Sequence, residues 1–182
     1  VLSGPEACRM VMTQWTFGAI GSYCRELFIN IIKKNPYYYM NSDEMTSRLL
    51  LYHARKVAFS RKSEYLYYWS NTSITHKRSV KLFDPLYTDT HLIFFAEAYY
   101  DKKMVQKMCS KMLSHMICLY KDYNAESRYT AEEQKRIDEI FRETYSFLQS
   151  KKQYLHSMKS WFYLSNWYVF VFVCRAMMLS KK

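Results

Sequence analysis

Glycine and proline are scarce in this chain of 182 residues, which contains three of each. β-Sandwiches and glycine-rich nucleotide folds need turn glycines that this sequence does not supply. Long helices need few of either residue in their interiors. The scarcity predicts an all-α protein, and apolar residues at helical spacing predict six to eight helices.

Cysteine pairs and the common catalytic motifs are also missing. The five cysteines include no CxxC, and an odd number cannot all pair within one chain. We therefore expect reduced thiols and an intracellular, cytoplasmic protein. No GxGxxG, GxxxxGK[ST] or HExxH is present. An enzyme is the class of protein that the sequence supports least.

A long, clean apolar run of the kind that spans a bilayer is absent as well. The nearest candidate covers residues 161–179 and is interrupted by Ser165, Asn166 and Arg175. This composition favours a buried or interfacial helix. Because lysines flank the segment, a membrane-associated tail stays open as an alternative.

Positive charge is what the sequence has in excess, with a net charge of +11. Residues 53–81 carry seven Lys or Arg against one acid, and residues 151–182 carry six and no acid. These two zones predict an anionic partner, either an acidic protein or an anionic membrane surface. Nucleic acid is a further alternative, although no recognised reading helix is present. The alternative interpretation is that both zones are simply a solvated basic surface without a partner.

Local signals divide the chain into helices. The patterns Ser3–Glu6 and Thr130–Glu133 are typical of capping boxes that start helices. Further helices are predicted over residues 19–34 and 44–69. Methionine recurs every four residues from Met104, which is typical of a helix buried in a core. We predict one helical domain over residues 1–150 and a basic, aromatic-rich helical extension over residues 151–182.

Two histidines offer a candidate binding site. His53 lies in a helical pattern, and His76 follows a break in that pattern. Two such histidines can hold a flat cofactor such as haem from both faces, with cations on the rim for its propionates. Val57 would lie one helical turn after His53 and share its face. Exposed histidines on basic helices are the alternative.

Four segments of the N-terminal half occur in a familiar order: VLSGPEACRMVMTQW, CRELFINIIKKNP, LYHARKV and THKRSVKLFDPLY. They resemble the first helix, the second helix with its proline corner, the distal helix and the proximal region of globins. The likeness covers about residues 1–100 and is to a divergent, invertebrate-type globin. Either Met104–Tyr120 or Ala131–Leu148 would be the last globin helix.

The resemblance implies a haem cofactor and oxygen binding, redox or sensing through a small diatomic ligand. His76 would be the iron ligand, His53 the distal histidine, and Val57 and Phe28 would line the distal pocket. The sequence departs from globins where Tyr37–Tyr39 replace a haem-facing Phe. The alternative is a haem-free helical interaction protein. Its basic surface and aromatic tail would dock on an acidic protein, a membrane surface or a larger assembly.

Overall fold

The computed structural model describes residues 1–14, 21–34, 41–60, 79–126 and 129–179. Within these ranges it contains eight α-helices, two short 3₁₀ turns and one isolated β-bridge. The helices are α1 (Gly4–Val11), α2 (Arg25–Lys34), α3 (Ser42–His53), α4 (Pro85–Tyr99), α5 (Lys102–Ala125), α6 (Ala131–Ser150), α7 (Met158–Tyr163) and α8 (Trp167–Leu179). The all-α prediction is confirmed.

The chain divides into two compact units, Val1–Arg78 and Ser79–Lys182. Helices α1 to α3 belong to the first unit and α4 to α8 to the second. The structure therefore places a division after Arg78. The predicted partition after residue 150 stays a prediction about which part of the chain folds by itself.

Helix α1 of the first unit begins at a capping box, as predicted. The backbone N–H of Ser3 donates to the Glu6 carboxylate at 2.9 Å, and the Ser3 hydroxyl donates to the same oxygen at 2.6 Å. The helix packs against α3 and buries Ala7, Cys8 and Val11. The Ser3 N–H, one of the donors at the start of the helix, is thus satisfied by the Glu6 side chain.

Helix α3 ends sixteen residues earlier than predicted, and the prediction of a helix to residue 69 is wrong at its C-terminal end. The helix stops at His53, and Ala54 has an extended backbone. The backbone groups of Leu2 and Val57 then pair with each other, with both N–H···O distances 2.9 Å. Val57 therefore does not follow His53 by a helical turn. Residues 61–69 lie outside the described residues.

Helix α2 also differs from its predicted span. We expected a start near residue 19, whereas the helix starts at Arg25 and residues 21–24 are not helical. The helix is described to Lys34, and the predicted stop at Asn35–Pro36 lies outside the described residues. Only Ile31 of this helix is fully buried, so little packing is available to extend it.

The second unit is built on α4, α5 and α6, which pack against one another. The predicted methionine stripe is confirmed as core, because Met104, Met108, Met112 and Met116 are all at most 6% exposed. Helix α6 starts at the predicted capping box, where the Glu133 N–H donates to the Thr130 hydroxyl at 3.2 Å. Its predicted apolar stripe is also buried, namely Ile137, Ile140, Phe141, Tyr145 and Leu148.

The segment after α6 folds back onto the second unit as two helices, with α8 packed against α5 and α7 against α8. Leu155, Leu164 and Phe170 are buried, and the Phe170 ring lies 5.3 Å from the ring of Tyr120 on α5. Aromatic edge contacts of this kind stabilise packing beyond the area they bury. Among the helices of the described ranges, none is long and apolar enough to cross a bilayer.

Candidate functional site

The groove beside His53 contains part of the predicted cofactor site. His53 is the last residue of α3, and its side chain is exposed to solvent. It lines a groove of about 470 Å³ together with Val57, Cys24 and Leu27. The structure thus brings His53 and Val57 to one surface, although through an extended turn and not through a continuous helix. Arg55 also lines this groove.

Two other predicted haem-site residues are not placed in this groove. Phe28 lies on α2 with 45% of its surface exposed and does not line the groove. His76, the predicted iron ligand, lies outside the described residues. Within the part of the chain that the structure describes, no group of three or more His, Cys, Asp or Glu side chains could hold a metal ion.

A second candidate is a set of large apolar side chains exposed on α7 and α8, which we term the C-terminal surface. It comprises Met158, Trp161, Phe162, Tyr168 and Phe172. Their exposed fractions are 90%, 60%, 57%, 77% and 72% in that order. Single exposed apolar residues are normal, but five large ones on two helices that contact each other are typical of an interaction site.

Hydrogen bonds and buried neighbours fix the shape of the C-terminal surface. The Trp161 indole N–H donates to the Leu155 carbonyl at 2.7 Å. The Ser157 hydroxyl accepts from the Ser160 N–H at 3.0 Å and caps α7. Leu164, between the two helices, is fully buried. The exposed rings therefore stand on an anchored backbone, which lowers the entropy lost on binding.

The charged residues that α7 and α8 themselves carry are all positive. Lys159 and Arg175 are exposed on α7 and α8, and residues 151–182 contain no acid. Lys151 differs from these two residues because its charge is paired. Its ammonium group lies 2.6 Å and 2.7 Å from the two carboxylate oxygens of Glu97. Helices that expose apolar side chains together with cations, and that contain no acid of their own, are complementary to an anionic partner.

An apolar groove lies within this surface. It has a volume of about 500 Å³ and is lined by His156, Met158, Trp161 and Phe162. The sequence offered docking of the aromatic tail as the alternative to haem binding, but it did not predict which rings are exposed. The sequence does contain a local signal for this, namely the N-cap residue Ser157 and the break at Ser165–Asn166. They divide the tail into two helices whose faces can be assigned separately.

Comparisons of this chain with protein-family models, with curated proteins and with solved structures found no match.

Proposed function

We propose that this protein is a helical module that binds the surface of anionic lipid bilayers through its C-terminal surface. One observation carries the proposal. Five large apolar side chains, each more than half exposed, share two short helices with Lys159 and Arg175 and with no acidic residue. This is the residue set of an interfacial helix, whose rings enter the headgroup layer while cations meet lipid phosphates.

The type of aromatic residue favours a lipid surface over an acidic protein. Tyr168 carries an apolar body with a polar tip, which suits the boundary between headgroups and acyl chains. The most exposed side chain, Met158, is flexible and adapts to an irregular apolar medium. Long Lys and Arg side chains next to them reach the phosphate level while their stems stay apolar.

The expected energies are sufficient for reversible association. Transfer of a half-exposed aromatic ring from water contributes on the order of 1–1.5 kcal/mol, half of the value for full burial. Each cation near an anionic surface adds about 1 kcal/mol at physiological ionic strength. Several rings and two cations together are comparable with the lower end of the cost of immobilising one molecule at a surface, about 4 kcal/mol, so we expect weak and reversible binding.

The test is sedimentation with phosphatidylcholine vesicles that contain or lack phosphatidylserine. We expect binding to the anionic vesicles and little binding to the neutral ones. The double variant Tyr168→Ser, Phe172→Ser should weaken binding at least about tenfold, since about 1.4 kcal/mol corresponds to one decade. Both rings are largely exposed, so the variant should remain folded.

Phe28→Ser is the matched control, because Phe28 is an exposed aromatic residue on α2, outside the C-terminal surface. It should bind vesicles like the wild type. Failure of the wild type to sediment with anionic vesicles would overturn the proposal. So would equal binding by the double variant, or binding to an acidic protein in place of lipid.

A second candidate function, haem binding, has one observation in its favour. His53 and Val57 line one groove, and the cations Arg55 and Lys56, which could meet propionates, line it as well. The described residues contribute one imidazole to this groove, and the iron ligand would be His76. Stoichiometric haemin uptake with a Soret band lost in His76→Ala would support this function. Uptake that is absent, or indifferent to His76, would exclude it.

A further inference from the structure

A pocket with both polar and aromatic lining residues opens next to the C-terminal surface. It has a volume of about 370 Å³, with Arg142 and Gln149 of α6 on one side and Ser165, Asn166 and Trp167 on the other. Tyr168 lines the pocket and is also part of the C-terminal surface. A ligand anchored in the pocket would therefore lie next to the rings that we place in the bilayer.

The guanidinium group of Arg142 lies over an aromatic ring. Its central carbon lies 5.2 Å from the centroid of the Trp167 ring, which is cation–π distance. Among the described residues Arg142 has no ion-pair partner, whereas Arg136 on the same helix pairs with Glu139 at 3.2 Å. Arg142 thus presents a guanidinium group that is oriented by Trp167 and that forms no ion pair among the described residues.

The other polar groups of the pocket are fixed by hydrogen bonds. The Gln149 amide donates to the Leu164 carbonyl at 3.2 Å and ties α6 to the turn before α8. The Asn166 side-chain oxygen accepts from the Tyr168 N–H at 2.8 Å, which leaves the amide nitrogen of Asn166 as a further donor. Among the residues that the structure describes, no carboxylate lines the pocket. The chemistry is that of a site for an anion.

We propose that this pocket binds the phosphate of a lipid headgroup that ends in a phosphomonoester. The inference rests on the proposed function, because the lipid would be delivered by docking of the C-terminal surface. A guanidinium fork matches two phosphate oxygens at once, which a lysine cannot do. A phosphomonoester offers three terminal acceptor oxygens and more negative charge than a phosphodiester. It can therefore accept from the Arg142 guanidinium group and from the Asn166 amide at the same time.

The experiment compares phosphatidylcholine vesicles that carry equal total negative charge as phosphatidic acid or as phosphatidylserine. We expect the wild type to prefer phosphatidic acid by about tenfold, the range of one bidentate charge-assisted contact. Arg142→Gln should bind both vesicles alike, at the phosphatidylserine level. Arg136→Gln, an exposed arginine on the same helix, should keep the preference.

Two further measurements complete the experiment. One uses a conservative variant that should remain folded, and the other distinguishes a lipid phosphate from free phosphate. Arg142→Lys keeps the charge and the cation above Trp167 but loses the fork, so it should retain binding and lose most of the preference. Titration of inorganic phosphate against tryptophan fluorescence tests a free anion. Saturation in the wild type and not in Arg142→Gln would show that phosphate alone occupies the pocket.

The outcomes are distinguishable from those of the proposed function. If the wild type binds anionic vesicles but shows no preference, or Arg142→Gln keeps it, the pocket inference is overturned and membrane docking stands. If no anionic vesicle is bound, membrane docking fails. In that case, inorganic phosphate binding that depends on Arg142 would still show that the pocket is an anion site. If phosphate binding is also absent, the anion site is overturned as well.

Discussion

At the scale of single residues, Gly4 shows how one position sets the contact between two helices. A Cβ atom at Gly4 would lie far inside contact distance of the carbonyl oxygens of Leu51 and Ala54, both at the C-terminal end of α3. Gly4→Ala should therefore lower the free energy of unfolding by about 1–3 kcal/mol, because backbone atoms cannot move aside easily. Urea titration followed by circular dichroism measures the change.

Gly21→Ala is the control for this prediction. A Cβ atom at Gly21 would meet nothing within 4 Å. The substitution should leave stability within about 0.5 kcal/mol of the wild type, or raise it slightly by restricting the unfolded chain. Equal effects of the two substitutions would contradict the close approach at Gly4.

His53 illustrates the limit of an interpretation made residue by residue. Its helical surroundings and the histidine 23 positions later predicted a distal ligand on a helix face. In the structure it is an exposed residue at the end of α3 that lines a groove. The helical pattern was correct up to His53. After it the backbone becomes extended, and Val57 pairs with Leu2, which is more than fifty residues away in the sequence.

At the scale of elements, Arg48 joins α3 to the end of α1. Its side chain is fully buried, and its guanidinium group donates to the carbonyl of Val11 at 2.7 Å and to that of Glu44 at 2.9 Å. The Val11 carbonyl belongs to the last turn of α1 and has no partner within the helix. Arg48 therefore acts as a C-terminal cap supplied by another helix.

Arg48→Met should lower the free energy of unfolding by about 2–3 kcal/mol, because it leaves a buried carbonyl without a donor. Arg48→Lys should recover only part of this loss, since an ammonium group cannot span both carbonyls in one plane. Chemical denaturation measures both. Arg25→Met, at an exposed position of α2, should cost less than about 0.5 kcal/mol. Arg48→Met with an equally small effect would argue against the cap.

At the scale of the whole molecule, two buried thiols make the free energy of unfolding depend on pH in the alkaline range. Burial, reinforced by Glu97, raises the pKa of Cys109 to about 12, and burial raises the pKa of Cys174 to about 11. Both values lie above those of the unfolded chain, so their contribution to stability is complete below pH ~9. It is lost as the pH rises through the folded values.

We therefore expect the free energy of unfolding to fall between pH 9 and 11, by up to about 1.4 kcal/mol per pH unit for each thiol. Cys109→Ala should reduce this slope, and Cys24→Ala should not, because Cys24 is exposed. Urea titrations at several pH values measure the slopes. An unchanged slope in Cys109→Ala would contradict the assignment.

The sequence by itself determined the helical class, both capping boxes and the buried stripes of α5 and α6. These features depend on neighbours three or four residues apart, and such neighbours are visible in the chain. Tertiary structure decided where α3 ends and which tail rings remain exposed. Leu2 pairs with Val57, and α8 buries Phe170 against Tyr120 while Phe172 stays in solvent. Contacts between residues tens of positions apart set those outcomes, and no local pattern contains them.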